Sequence, residues 1–377
     1  MNPFKYGTIV RGEDFYDRKE ECSRITETLL GGNNIVLYAP RRFGKTSLVF
    51  KVIEQLEKKN VICVYFDFMT VYSPESFIRL YAKALSERQT NLDKFVKNFA
   101  SAIKNIRPTL SFNTDGEAEF SVDFANTPVD ERVVAQLLDM PEALGSSRKK
   151  VVVFFDEFQE AVKLQNINFE NLLRSKIQKQ VNTSYLFLGS KTHILHELFD
   201  NKKRAFYHSA AQISIGPLPE ADTIKYLQHK LASSGITLDA ETGRYLISAA
   251  GNIPHYIQLL ASEVWQYLIG NKKTVTKPIV DYCVKQTLAL KSDYYLELFN
   301  RQSQSKKQLL QALTAGGKNV FSAAYINTHR LGSASTVQRA MKELVEEGIA
   351  EKLKDEYVTA DPFFKAFVAE IMRGIMP

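Results

Sequence analysis

A chain of 377 residues is longer than one ordinary domain, and 45% apolar residues supply enough side chains for sizeable cores. Cys22, Cys63 and Cys283 are scattered with no CxxC pair, which argues against a disulfide framework or a zinc site and fits a reducing compartment. No charged-then-apolar leader and no run near the roughly 18 apolar residues of a membrane span is present. The net charge of +7 permits an acidic partner without demanding one, so a soluble cytoplasmic protein with no membrane role is expected.

Five short apolar runs, at 35–39, 61–67, 151–155, 185–189 and 212–215, are rich in β-branched and aromatic residues. Runs of this kind suit strands buried on both faces of a parallel sheet. Segments such as 48–59 and 75–85 between them have helical spacing. The expectation is an α/β fold with a five-stranded parallel sheet core and crossover helices.

Directly after the first run stands Ala39-Pro40-Arg41-Arg42-Phe43-Gly44-Lys45-Thr46. This is the phosphate-loop pattern G-x-x-x-x-G-K-[ST] with Ala39 in the first glycine position, and it predicts a P-loop NTPase. Gly44 would let the backbone curl so that N–H groups face phosphate oxygens. Lys45 would place a point charge on the outer phosphates, and the Thr46 hydroxyl could ligate Mg²⁺. A helix opening at Lys45 adds the positive end of its dipole.

Residues 107–128 break the strand–helix rhythm. Thr109–Phe112 and Glu119–Val122 alternate around the turn-forming Asn113-Thr114-Asp115-Gly116, which predicts an inserted hairpin, read as a surface decoration. The third run then ends in Asp156-Glu157. Behind an apolar strand, and downstream of a phosphate loop, Asp156 would hold the Mg²⁺ shell and Glu157 would polarise the attacking water. The strand at 61–67 falls between the two motifs in sequence. That suits the P-loop branch in which another strand separates the two motif strands in space and Glu is catalytic.

The fourth run ends at Ser190, which would sit near the γ-phosphate and help orient water; the alternative is an ordinary strand-ending serine. Asn201-Lys202-Lys203-Arg204 lacks the Asp of the guanine-reading N-K-x-D motif, so ATP is expected rather than GTP. His193 and His196 lack an evident third ligand, and no metal beyond Mg²⁺ is expected.

After Pro217 the strand pattern stops. Segments 219–234, 240–250, 254–268 and 277–290 read as helices of an all-α lid domain. From about Gln302, helices at 306–315, 322–329 and 336–347, followed by a hairpin of 349–353 with 357–359, make a winged helix-turn-helix. The expected domains are therefore 1–216, 217–301 and 302–377.

At this point the chain resembles a known family, the archaeal-type ATPases within the STAND group of AAA+-related P-loop NTPases. Pro40-Arg41-Arg42-Phe43-Gly44-Lys45-Thr46-Ser47 is very close to the family loop, and the resemblance implies that all eight residues bind nucleotide. The box Phe15-Tyr16-Asp17-Arg18-Lys19-Glu20-Glu21 is similar to the family's F-x-G-R-x-x-E, with Asp17 in place of glycine. It implies that Phe15 and Arg18 line the adenine side. Gly251-Asn252-Ile253-Pro254 resembles a G-x-P element and implies that Pro254 reaches the nucleotide; read from the residues alone, Pro254 is a good first-turn residue. The family often carries an arginine near Arg204, which implies a γ-phosphate sensor. A solvated basic turn is the alternative.

The winged helix leaves the output open. Gln338, Arg339 and Lys342 on its third helix, with Lys352 and Lys354 on the wing, are plausible DNA contacts. Yet residues 302–377 carry 10 Lys+Arg against 8 Asp+Glu, so a strongly basic footprint is missing. The resemblance implies instead a regulatory arm with intramolecular or protein contacts, self-association included. The main expectation is an ATP-hydrolysing switch using ATP/ADP and Mg²⁺. An ATP-gated DNA-binding regulator is the alternative. A small-molecule kinase fits less well, given the acidic pair and the long helical tail.

Overall fold

The structure is a computed structural model describing residues 1–88, 92–103, 106–112, 118–124, 129–164, 167–270, 274–353 and 355–374. The chain forms two compact units. A sheet unit comprises residues 18–40 and 45–216. A helical unit comprises 1–17, 41–44 and 217–377.

The sheet unit holds strands β1 (Ile35–Tyr38), β2 (Ile62–Asp67), β3 (Arg107–Phe112), β4 (Ala118–Asp123), β5 (Val151–Asp156), β6 (Thr183–Gly189) and β7 (Ala211–Ser214). Five of them form a parallel sheet in the order β2-β5-β6-β1-β7. Every residue of β1, β5 and β6 is buried, as near-continuous apolar runs require when helices cover both faces. β6 lies between β1 and β5, the separation expected from the sequence: Leu186 pairs with Ile35 on one side and Phe154 on the other. This order brings the carboxyl ends of β1, β5 and β6 to one rim, where open α/β sheets bind ligands.

β3 and β4 pair antiparallel with Leu110 opposite Phe120. The expected turn at 113–116 lies outside the described residues. The hairpin is not a surface decoration. Phe120 and Val122 are buried, and the Phe120 ring stands 5.1 Å from both Phe95 and Phe99. The alternation in β4 puts Phe120 and Val122 on one face. The helix Leu92–Ala102 supplies Phe95 and Phe99 to cover Phe120.

The helical unit contains Glu220–Ala232, Ala240–Ala249, Pro254–Leu268, Lys277–Leu290 and Ser292–Asn300. Gln304–Ala315, Ala323–His329 and Ala334–Glu346 follow, then the wing of β8 (Ala350–Leu353) and β9 (Glu356–Thr359). The winged helix-turn-helix is therefore present. A further helix, Pro362–Met372, was not anticipated. Its Phe363 ring lies 5.6 Å from Tyr256, and Phe364 and Phe367 each lie 5.5 Å from Tyr295. One apolar core thus runs from Ile224 to Val368, and lid and winged helix share it. Among the described residues no helix is long and apolar enough to cross a membrane.

Candidate nucleotide site

The phosphate loop leaves β1 and re-enters regular structure at Lys45, the first residue of the helix Lys45–Glu57. Its positive-φ positions are Arg42 (+70°) and Gly44 (+81°); Ala39 is not one of them. That explains why alanine replaces the usual first glycine, since the backbone there asks for no left-handed conformation. Gly44 does need its freedom. A Cβ there would meet nothing within 4 Å, so the requirement is the dihedral rather than space. Thr46 and Ser47, the next two helical residues, are half-buried.

Lys45 is only 8% exposed. Its ammonium sits 3.0 Å from Asp156 Oδ1 and 2.8 Å from Glu157 Oε1. Asp156, 4% exposed, also accepts from the Tyr65 hydroxyl at 2.7 Å and from the Glu157 backbone N–H at 2.8 Å. Glu157 takes a left-handed conformation (φ +47°) where β5 turns into the 3₁₀ helix Phe158–Lys163. Its Oε2 accepts from Ser190 Oγ at 2.9 Å, from Ser190 N–H at 3.2 Å and from Gln159 Nε2. Burial alone would raise the Glu157 pKa. The Lys45 charge and hydrogen bond, with Gln159 and Ser190, outweigh it and hold the carboxyl at about 2. Asp67, directly across from Asp156 in the register of β2 and β5, titrates higher than usual, through burial first and its acidic neighbours second.

Lys45, Asp156, Glu157 and Ser190 therefore meet in one hydrogen-bonded cluster. Arg204 does not join it. Its guanidinium pairs with Glu170 in the first turn of the helix Phe169–Ile177, and its Nε has no partner among the described residues. Arg18 is 3% exposed and bonds the Gly216 carbonyl at 2.7 Å and Glu21 at 3.2 Å. Gln159, Tyr65 and Asp67 were missed by sequence reading. The only signal was that each lies within or just after an apolar strand run.

Within the helical unit, the loop residues Arg41–Gly44 are held by several elements. Phe43 is buried in the core. The Arg42 guanidinium lies 3.6 Å from Asp361 and 4.8 Å from the centroid of the Tyr256 ring, and its carbonyl accepts from His255 N–H at 3.3 Å. Pro254, the residue before His255, opens the helix Pro254–Leu268 and is half-buried. The Arg41 backbone N–H donates to the Glu351 carboxylate on β8, whose pKa burial lifts to about 7 against that bond and the two arginine charges. Phe15 is half-buried, and its neighbour Tyr16 stacks on Tyr226 at 3.8 Å.

On the winged helix, Gln338, Arg339, Lys342 and Lys352 are exposed, with Lys342 3.8 Å from Glu346. Lys354 lies outside the described residues. Glu343 and Glu347 both pair with the buried Lys306, at 3.4 and 2.6 Å. Those acids are thus tied to the helix Gln304–Ala315.

Residues 15–260 match the family described as "ATPase domain predominantly from Archaea". The chain belongs to this family of archaeal ATPases. Residues 293–370 match a probable winged helix domain. Two relatives in Methanocaldococcus jannaschii, both called uncharacterized ATP-binding proteins, are 27% and 25% identical over 186 residues. Those matches cover 48% of this chain and 49% and 50% of the relatives, about half the length of each. Among solved structures, a Walker-type ATPase of Pyrococcus abyssi aligns at a TM-score of 0.65 and 17% identity, covering 97% of this chain and 99% of the other. The ORC2 protein of Aeropyrum pernix aligns at 0.55 and 12% identity, covering 99% of this chain and 98% of the other. At such identities these likenesses establish the P-loop ATPase fold with its helical region and winged helix, and nothing finer.

Proposed function

We propose that this chain binds ATP with Mg²⁺ and hydrolyses it to ADP and phosphate, acting as a switch of the STAND type. The observation that carries the reading is the Lys45 ammonium bridging Asp156 and Glu157. One lysine between two carboxylates leaves a negative cluster, which would repel a triphosphate unless a cation came with it. Asp156 and the Thr46 hydroxyl are hard oxygen donors that fit Mg²⁺ and would hold it. Bound there, Mg²⁺ would neutralise charge on the phosphate oxygens. Lys45 would exchange its carboxylate partners for phosphate. Glu157, freed on Oε1, would polarise the attacking water, with Ser190 as its hydrogen-bonding neighbour. Pro40, Gly44 and Ser47 would line the phosphates, and Phe15, Arg18 and Pro254 the rest of the nucleotide. Arg204 would contribute only after leaving Glu170. The division into 1–216, 217–301 and 302–377 is proposed for the chain, with 217–301 and 302–377 acting as one body because they share a core.

The switch reading is supported by the grip on Arg41 and Arg42. Arg42 sits at φ +70°, a conformation that costs a non-glycine residue about 1 kcal/mol or more. The Arg41 N–H, expected to face phosphate, is occupied by the Glu351 carboxylate. Phosphate binding that reshaped this loop would be felt at the wing and at Asp361, which caps the helix Pro362–Met372. Asp361→Asn keeps the cap but removes the charge facing Arg42. Exposed pairs of this kind are worth about 0.2–1 kcal/mol, so ATP affinity should rise up to about fivefold. Glu351→Gln should raise it in the same direction. Affinities equal to wild type in both variants, measured with a fluorescent ATP analogue, would sink the coupling.

The second reading, an ATP-gated DNA-binding regulator, is favoured by one feature. Gln338, Arg339, Lys342 and Lys352 are exposed while Glu343 and Glu347 are engaged by Lys306. Under it, DNA affinity should fall steeply with salt, with a log–log slope near roughly −0.9 per phosphate contacted. Absence of binding at low salt removes this reading and leaves a protein partner or self-association as the output.

A further inference from the structure

We propose that Gln159 is a positioning residue for hydrolysis, fixing one oxygen of Glu157 so that the other is presented to water when Lys45 departs. The inference rests on the ATPase reading above and deepens it. The two oxygens of Glu157 have different partners. Oε1 takes only Lys45 among the described bonds, at 2.8 Å. Oε2 takes Gln159 Nε2, Ser190 N–H and Ser190 Oγ. If phosphate draws Lys45 away, Oε1 becomes free while Oε2 stays held from three directions. A carboxylate anchored through one oxygen keeps its orientation, which is what a base needs to meet water at a fixed place.

Gln159 itself is 2% exposed, and its Oε1 has no hydrogen-bond partner among the described residues. A buried amide with an orphaned carbonyl destabilises a fold, and leucine of similar size would not carry that cost. What the glutamine supplies in return is its Nε2 bond to the Glu157 carboxylate, which leucine could not make. Gly189 makes the seat possible. A Cβ on Gly189 would stand 2.1 Å from Gln159 Oε1, so any larger residue there would push the amide off its place. The nearest atom is the tip of a flexible side chain, and the other neighbour, Leu195 Cδ1 at 3.0 Å, is also a side-chain end, so Gly189→Ala should fold and move chiefly Gln159 rather than the sheet.

This gives a test with two routes to the same lesion. In the full-length chain, Gln159→Leu and Gly189→Ala should each lower single-turnover ATP hydrolysis about 10- to 100-fold. Affinity for a fluorescent ATP analogue should stay within about twofold, which separates a lesion in the chemical step from loss of the site. The acid limb of the rate–pH profile should move to higher pH, because a donor that favours charged Glu157 is gone. Gln159→Ala combined with Gly189→Ala should be no slower than Gln159→Ala alone, since the clash has lost its partner. Wild-type turnover in Gln159→Leu, or additive losses in the double variant, overturns the inference while the ATPase reading stands. A wild-type chain that does not hydrolyse ATP, or a Glu157→Gln variant that does so normally, overturns both.

Discussion

Glu157→Gln is expected to lower ATP turnover by about 10²–10⁴-fold, the range for removing a positioned general base, with ATP affinity unchanged or slightly tighter. The amide keeps an oxygen for Lys45 or for Ser190, so the shape of the cluster largely survives. Asp156 remains as the counter-ion of Lys45 at 3.0 Å. What disappears is the negative charge that would accept a proton from water, and with it some repulsion of the triphosphate. The substitution also has a signature without nucleotide. Glu157 titrates at about 2 in the folded chain against an ordinary 4.5, so the unfolded chain binds the extra proton between those values. The carboxylate thus contributes stability that is present above about pH 4.5 and lost as pH falls toward 2. The substituted amide cannot titrate, and the acid side of the Tm–pH curve should flatten. Phosphate release under single-turnover conditions checks the first effect and thermal melts from about pH 3 to 7 the second. Normal turnover would remove Glu157 from the reaction.

The parts of this site that were legible in the sequence are the local ones. A buried strand, a phosphate loop and a helix are consecutive, so 35–57 could be read directly. Asp156 and Glu157 end an apolar run in the same way. That some strand separates β1 from β5 followed from the motif order; that this strand is β6 is given by the sheet pairing. What escaped reading depends on residues far apart in the chain. Arg204 meets Glu170, and Arg42 meets Asp361, through packing that no local pattern encodes. The helix Pro362–Met372 was missed although Phe363, Phe364 and Phe367 are strongly apolar, because the winged helix looked complete at its wing. The hairpin β3–β4 was misjudged because its covering helix, Leu92–Ala102, had not been recognised. Two departures from motif resolve differently. Ala39 replaces a glycine whose conformation is not used, whereas Asp17 keeps φ +62°, a left-handed conformation that aspartate tolerates better than most residues.

Lys45→Ala tests the centre of the cluster from the opposite side, and two effects are expected. Loss of the charged hydrogen bond to phosphate costs about 1.5–3 kcal/mol, or tenfold to about a hundredfold in ATP affinity. The empty protein suffers as well. Lys45 and Asp156 are nearly buried and Glu157 is largely so, with side-chain exposures of 9%, 5% and 19%. Removing one partner of a buried pair leaves charge uncompensated and typically costs about 3–5 kcal/mol. Here a single ammonium serves two carboxylates, so both are stranded at once. The pH dependence identifies the cause. Burial is the largest influence on Glu157 and raises its pKa, and Lys45 is the largest influence against it. Without Lys45 the folded pKa climbs back toward or past 4.5, and the gain in stability between about pH 2 and 4.5 shrinks. The deficit relative to wild type should therefore be smallest in acid, where protonation neutralises the stranded Glu157, and should widen as pH rises through 4.5. A deficit independent of pH would point to lost packing of the lysine stem. Normal ATP binding by this variant would undo the assignment of the phosphate loop.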